Sequence, residues 1–151
     1  MKIRFTHLLL ILFALSLFSC SQRILYLPSH TESLVFEFQG FSKRGFMITP
    51  EKYLGEYESI GIIDISIYPA AARQTKIPKE QDIIEGEYAQ GYWLIAKINP
   101  QEVVRIIYNK ANDMGADAVI NFKVTSIQKQ VAGELDLNGV NVSGFAIKRN
   151  P

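Results

Sequence analysis

The segment NDMGADAVINFKV, residues 112–124, decides how the chain is read. A Gly-Ala-Asp run between two apolar stretches is either a ligand-binding turn or a helix stop that feeds a strand. Upstream, Asn99 is a favoured N-cap residue and Pro100 falls at the first helical position, where its missing N–H is no loss. Glu102 stands at the third position of a capping-box-like arrangement. Val103, Ile107, Ala111 and Met114 then recur at helical spacing and form one apolar stripe. Gly115 follows directly, where a helix end calls for a positive φ. Downstream, Ala118, Ile120, Phe122 and Val124 are expected on one face of a strand, with Asn121, Lys123 and Thr125 on the other. The structural reading therefore leads: Gly115 ends a helix and Ala116-Asp117 is a tight connection into a strand. A ligand-binding turn stands as the alternative.

GVNVSGFAIK (residues 139–148) reads as a terminal strand with a phase break, since Val140 and Val142 are out of step with Phe145 and Ile147. A bulge at Gly144 is expected to return all four to one face. Asn138-Gly139 carries a hairpin signal. Towards the amino end, YESIGIIDISIYP (57–69) is the strongest strand. Ile63, Ile65 and Ile67 share one face and Ile60 and Ile62 the other, which predicts cover on both faces near its start. GFMITP (45–50) reads as a short strand stopped by Pro50 and SLVFEF (33–38) as an edge strand or an arm. YWLIAKI (92–98) reads as another strand, and residues 70–87 as a polar loop with a short helix. No internal repeat or low-complexity tract is evident. The fold class is α+β, a small, mainly antiparallel sheet packed on one main helix.

The chain has 151 residues, enough for one domain, and at 48% hydrophobic and 21% charged it has a globular composition. A formal net charge of +1 gives no electrostatic case for a nucleic-acid partner. The amino end is different. Lys2 and Arg4 precede an apolar run from Leu8 to Phe18. At about 1.5 Å per residue this run falls well short of a bilayer core of roughly 30 Å, but it fits the apolar centre of a secretory signal. Leu17-Phe18-Ser19-Cys20 resembles the bacterial lipobox, with an apolar residue three positions before an obligatory cysteine. Cys20 is the only cysteine, so it cannot close an intramolecular disulfide, and acylation would remove the liability of a free thiol in an oxidising compartment. Several acyl chains would hold the protein far more firmly than one. The expected organisation is a signal peptide over 1–19, a lipidated tether over 20–32 and a domain over 33–151. An ordinary signal peptide with an incidental cysteine and a membrane-spanning helix are the alternatives.

DMGADAVINFKV (113–124) followed by VNVSGFAIKR (140–149) resembles the YbjQ-like family, whose members are also called heavy-metal-binding proteins. The shared elements are a helix ending in Gly115-Ala116-Asp117-Ala118-Val119, a strand, and a terminal strand with Val142-Ser143-Gly144 near its middle. FMITP and YESIGII look like the family's first two strands, so the resemblance spans about Gly45 to Arg149, with a different middle between Pro69 and Asn99. It implies a small α+β fold, often assembled into rings, and no reaction. RcsF-type outer-membrane lipoproteins are more distantly similar. They are stapled by disulfides that this chain, with its lone Cys20, has no means to form.

Candidate chemistry is sparse. A soft-metal site needs converging His, Cys or carboxylate groups, and beyond the leader the chain offers His30, in the tether, and Cys20. Asp113, Asp117, Glu134 and Asp136 are candidate carboxylates for a divalent cation, at a spacing that matches no known loop. A Ser-His-Asp triad would have to use His30, and no nucleophile elbow, phosphate loop or dinucleotide fingerprint is present. Glu85 and Glu87 are the nearest thing to an acid–base pair, in a polar loop. Asn141-Val142-Ser143 is a formal glycosylation sequon inside a predicted strand. Tyr88, Tyr92 and Trp93 cluster as either core or a contact surface.

The expected function is a non-catalytic envelope lipoprotein, without cofactor, acting as a binding or assembly module. It would be anchored by Cys20, facing the periplasm from the outer membrane, and associate with copies of itself or an envelope partner. A ligand- or divalent-metal-binding envelope sensor and a hydrolase are the alternatives.

Overall fold

The computed structural model describes residues 33–131 and 133–150. The expected signal peptide, Cys20 and the tether with His30 lie outside the described residues. Along the chain run α1 (Gln39–Ser42), β1 (Met47–Ile48), β2 (Tyr57–Ile67), β3 (Ala71–Arg73), a 3-10 turn (Glu80–Asp82), β4 (Glu87–Gln90), β5 (Trp93–Ala96), α2 (Pro100–Asp113), β6 (Ala118–Val131) and β7 (Leu135–Arg149). One sheet has the order β1-β6-β7-β2 and a second, smaller one the order β3-β5-β4. Every strand pair is antiparallel except β1 with β6. The fold is thus α+β, a mainly antiparallel sheet packed on one main helix; YWLIAKI forms β5, and the segment expected to be a polar loop with a short helix contributes β3 and the first residue of β4 around its 3-10 turn.

Helix α2 forms where its local signals place it. The Asn99 side chain accepts from the Gln101 N–H at 2.9 Å, and Pro100 opens the first turn. Glu102 does not close a capping box; it reaches forward to Arg105. At the other end Gly115 has φ 83°, and the N–H groups of Gly115 and Ala116 donate to the carbonyls of Asn112 (2.9 Å) and Ala111 (3.0 Å). That pair of bonds satisfies carbonyls that a helix end would leave orphaned.

The buried face of α2 presents Val103, Val104, Ile107 and Ala111 to Ile63, Val119, Phe122, Val140, Val142 and Ala146. Met114 is 41% exposed and does not complete the stripe; it is the C-cap, with its Cε over Gly61. Residues 33–38 form no strand but an arm, whose Phe36 and Phe38 lie edge-on to Phe122 at centroid distances of 6.2 and 5.1 Å.

The long β6–β7 hairpin carries three corrections. Its turn is not at Asn138-Gly139, which sits within β7 opposite Gln128 and Ile127. The strands instead close at Val131 and Leu135, with Gly133 at φ 68°. The bulge is not at Gly144 either. It lies in β6, where the register shifts between Ile120 and Lys123 and Asn121 adopts φ 52°. Ala118 and Ile120 therefore face away from α2, in a cluster with Ile147 and Phe145, while Val119, Phe122 and Val124 face it. Val140 and Val142 face α2; Phe145 and Ile147 do not. The phase break is real, because β7 is covered on different faces at different points along its length.

That cover comes from separate elements. Near the hairpin tip, Leu135 and Leu137 pack with Ile95, Trp93, Tyr88 and Tyr68 of the second sheet and its approach. Near the root, Met47 and Tyr53 cover Ile147. In β2 a register shift between Ser59 and Gly61 turns Ile60 inward to the α2 core and leaves Ile62 76% exposed, so the expected second covered face does not form there.

Candidate functional site

Asp117, the acidic residue of the opening turn, is engaged internally. Its Oδ1 accepts from the Arg149 backbone N–H at 2.9 Å and lies 3.4 Å from the Arg149 Nε. The same guanidinium donates to the Gly45 carbonyl at 2.6 Å. The contact at Nε is an ion contact rather than an aligned hydrogen bond, since that buried atom has no hydrogen-bond partner. The Gly115-Ala116-Asp117 junction thus ties the end of α2, the last strand and the turn before β1 together.

Asp113, Asp117 and Glu134 do not converge. The first two flank the α2–β6 junction, whereas Glu134 lies in the hairpin turn beside Arg73 at 3.4 Å. Between the junction and the turn runs the whole of β6, 14 residues. At about 3.3 Å per residue that is roughly 45 Å. Asp136 lies in β7 just past the turn. Among the described residues no group of three or more His, Cys, Asp or Glu is placed to hold a metal ion. Glu87 begins β4 and Glu85 precedes it. The guanidinium of Arg105 pairs with Glu102, and its pKa is raised by that hydrogen bond and then by the charge of the carboxylate.

Of the aromatic cluster, Tyr88 and Trp93 pack against the hairpin tip and Tyr92 is 46% exposed. A depression of about 260 Å³ between residues 74–78, Asp82 and Leu94 is small and open. Pockets that enclose a ligand are typically larger.

The main sheet offers more. On the face turned away from α2, the middle of the sheet is polar. Asp64, Ser143 and Lys123 form one cross-strand row, and Ser66, Asn141 and Thr125 the next. The Asn141 side chain donates to Asp64 at 2.6 Å and to Ser66 at 3.4 Å, which orders the residue of the formal sequon. Beside this array stands the exposed Ile62.

Both margins of the sheet are open among the described residues. β2 is its last strand, with nothing paired along its outer side. On the other margin β1 reaches only Val119. Thr49 and Glu51 continue the cover with bonds to Phe122 and Asn121 of 3.0 and 3.2 Å. Beyond Phe122 no described strand pairs with the outer side of β6. The two margins differ in charge. β2 contains Glu58 and Asp64 and no Lys or Arg, while residues 123–131 contain Lys123 and Lys129 and no Asp or Glu. The sequence reading missed these margins. The signal for one is there, since residues 57–67 hold no Lys, Arg or Pro, the residues that commonly protect an edge strand. The other follows only from the strand order.

No family model matches this chain, and no curated protein matches it. A crystal structure from Pediococcus pentosaceus ATCC 25745, of a protein of unknown function belonging to the DUF74 family, is similar to it. That structure aligns with 70% of this chain and 99% of its own at 16% identity and a TM-score of 0.43.

Proposed function

We propose that the protein is a non-catalytic, lipid-anchored module of a bacterial envelope that works by assembly through its main sheet. Cys20 at the end of the lipobox-like Leu17-Phe18-Ser19-Cys20 supports the anchor, and the YbjQ-like elements over 45–149 support an assembling α+β domain. The observation that carries the assembly is the margin of β2. Among the described residues it has no outer partner, and beyond the register shift at Ser59–Gly61 it displays Ile62 at 76% exposure. Unpaired N–H and C=O groups along a strand are a template for another strand, and natural proteins usually blunt such an edge. The metal-sensor reading has no observation in its favour, because its carboxylates stand at opposite ends of β6. The hydrolase reading has none either.

Two measurements test the proposal. Mass spectrometry of the protein extracted from envelopes should find the chain beginning at an acylated Cys20; an intact leader or a free thiol refutes the anchor. Native mass spectrometry of the same extract should find complexes of more than one copy. A strict monomer without any bound protein refutes assembly.

A further inference from the structure

Which surface meets the margin of β2 follows from the charges on the two open margins. Pairing β2 with β2 of a second copy would give a symmetric, self-complementary contact. It would also bring the four carboxylates of the two strands together, with no cation on either strand to offset them. Pairing the distal part of β6 with itself would gather Lys123 and Lys129 in the same way. Like charges placed opposite each other destabilise a strand pair, and opposite charges stabilise it. Resting on the assembly reading above, we infer that β2 of one copy pairs with residues 123–131 of a second copy, head to tail.

The direction and register follow. β6 is antiparallel to β7 and β7 to β2, so β2 and β6 run the same way. The Asp64 and Lys123 side chains lie in one row on the same face, and Lys129 shares that face by alternation. Continuing the sheet from β2 into β6 of the next copy keeps these side chains on one face only if the new ladder is parallel. Setting Asp64 beside Lys123 of the next copy would bring Ile62 to Asn121, whose N–H is already taken by the Glu51 carbonyl at 3.2 Å. Setting Asp64 beside Lys129 brings Ile62 to the half-buried Ile127 and clears the covered part of β6. In that register an exposed isoleucine meets an apolar partner and a carboxylate meets an ammonium. Lys129 Nζ lies 5.5 Å from the Tyr68 ring centroid of its own copy, and its flexible stem has to turn outward to make the new pair. A head-to-tail contact repeats, so it closes into a ring or continues as a filament.

The test uses the full-length protein in mild detergent. Asp64→Lys and Lys129→Asp should each weaken association by about tenfold or more, and the double charge swap should restore it. Circular dichroism of each variant reports whether the domain has folded, and recovery in the swap excludes loss of folding as the cause. Differently tagged Ile62→Cys and Ile127→Cys copies, once mixed, should form a disulfide-linked heterodimer well above either alone, with the unsubstituted chain giving the Cys20 background. Efficient crosslinking of Ile62→Cys to itself overturns the inference in favour of a symmetric β2 contact. Single variants that associate normally, or a swap that fails to recover, overturn it too. Acylation of Cys20 is read separately, so loss of the anchor leaves this result standing, and a normal anchor with no crosslink refutes the pairing alone.

Discussion

Gly144→Ala tests the facing of the whole β6–β7 hairpin. The residue lies on the side of β7 that meets α2, and its φ is not in the left-handed region, so an alanine there faces no backbone strain. Any penalty comes from contact. A Cβ at 144 would overlap the Val119 Cγ1 and stand 3.5 Å from the Ile120 carbonyl oxygen and 3.7 Å from the Ile107 Cδ1. Val119 and Ile107 are both fully buried, at 0% exposure, so neither side chain has room to retreat. Overpacking of a tight core costs about 1–3 kcal/mol. Replacing a strand glycine by alanine returns roughly 0.5–1 kcal/mol of backbone entropy. The net expectation is about 1–2 kcal/mol of destabilisation, a fall in Tm of roughly 3–12 °C for a domain of this size.

The assay is urea or thermal unfolding of the single variants and of the double variant with Val119→Ala. Val119→Ala alone should cost about 1–3 kcal/mol by leaving a cavity. In that background the added methyl at 144 fills the space, so the cycle should show a favourable coupling of about 2 kcal/mol. If Gly144→Ala is neutral or stabilising by itself, or if the two costs simply add, residue 144 does not face Val119. The bulge would then belong in β7, with Phe145 on the helix side.

Three further outcomes follow from other positions. Gly115→Ala meets no side chain, but it forces a φ of 83° on a residue with a Cβ. Unfolding should show a loss of about 1–2 kcal/mol, with Gly115→Asn losing less. Asp117→Ala removes the acceptor of the Arg149 N–H and leaves the buried Nε without its ion contact. With both side chains about a third exposed (29% and 34%), the loss should be moderate and should shrink when Arg149 is replaced as well. It is roughly 1–2 kcal/mol after allowing for screening. Millimolar Ca²⁺ or Mg²⁺ should leave Tm unchanged in a thermal-shift assay, because Asp117 and Glu134 are a strand's length apart; a reproducible rise in Tm would count against that separation.

What was legible in the sequence was local. Asn99, Pro100 and Gly115 mark the ends of α2 because each satisfies, or dispenses with, a backbone group within three residues of itself. The residue pattern alone suffices to locate them. The alternation over 57–67 and 118–124 marks strands for the same reason. The bulges were not legible, since both are defined by register against β7, which is distant in sequence from β2. So Ile60 and Ile62 were placed together when one is inward and the other exposed. Of the second sheet only β5 was legible, inside YWLIAKI; β3 and β4 escaped because they are three and four residues long and draw their stability from the hairpin tip. The candidate carboxylates were chosen by residue type, and only the length of β6 shows how far apart they stand.

The phase break in β7 shows why one strand's alternation underdetermines its faces. Alternation records which residues are covered, and cover is supplied by whatever lies above each face at each point. Gly139 and Gly144 are five positions apart, so on an unbulged strand they point to opposite sides. A Cβ at Gly139 would come within 2.6 Å of the Ile67 carbonyl and 2.7 Å of the Tyr68 ring. A Cβ at Gly144 would meet Val119 and Ile107 under α2. Each glycine stands where a different part of the protein approaches the strand most closely, one on each face. Between them Asn141 and Ser143 lie on the middle stretch of the face turned away from α2, which neither the second sheet nor Tyr53 reaches, and they are polar for that reason. Leu-Asp-Leu at the tip and Phe-Ala-Ile at the root bury the same face under different covers, while Val140, Val142 and Ala146 bury the other against α2. An apparent slip of one residue is therefore what a straight strand looks like when its buried side changes along its length, and it needs no bulge in that strand to explain it.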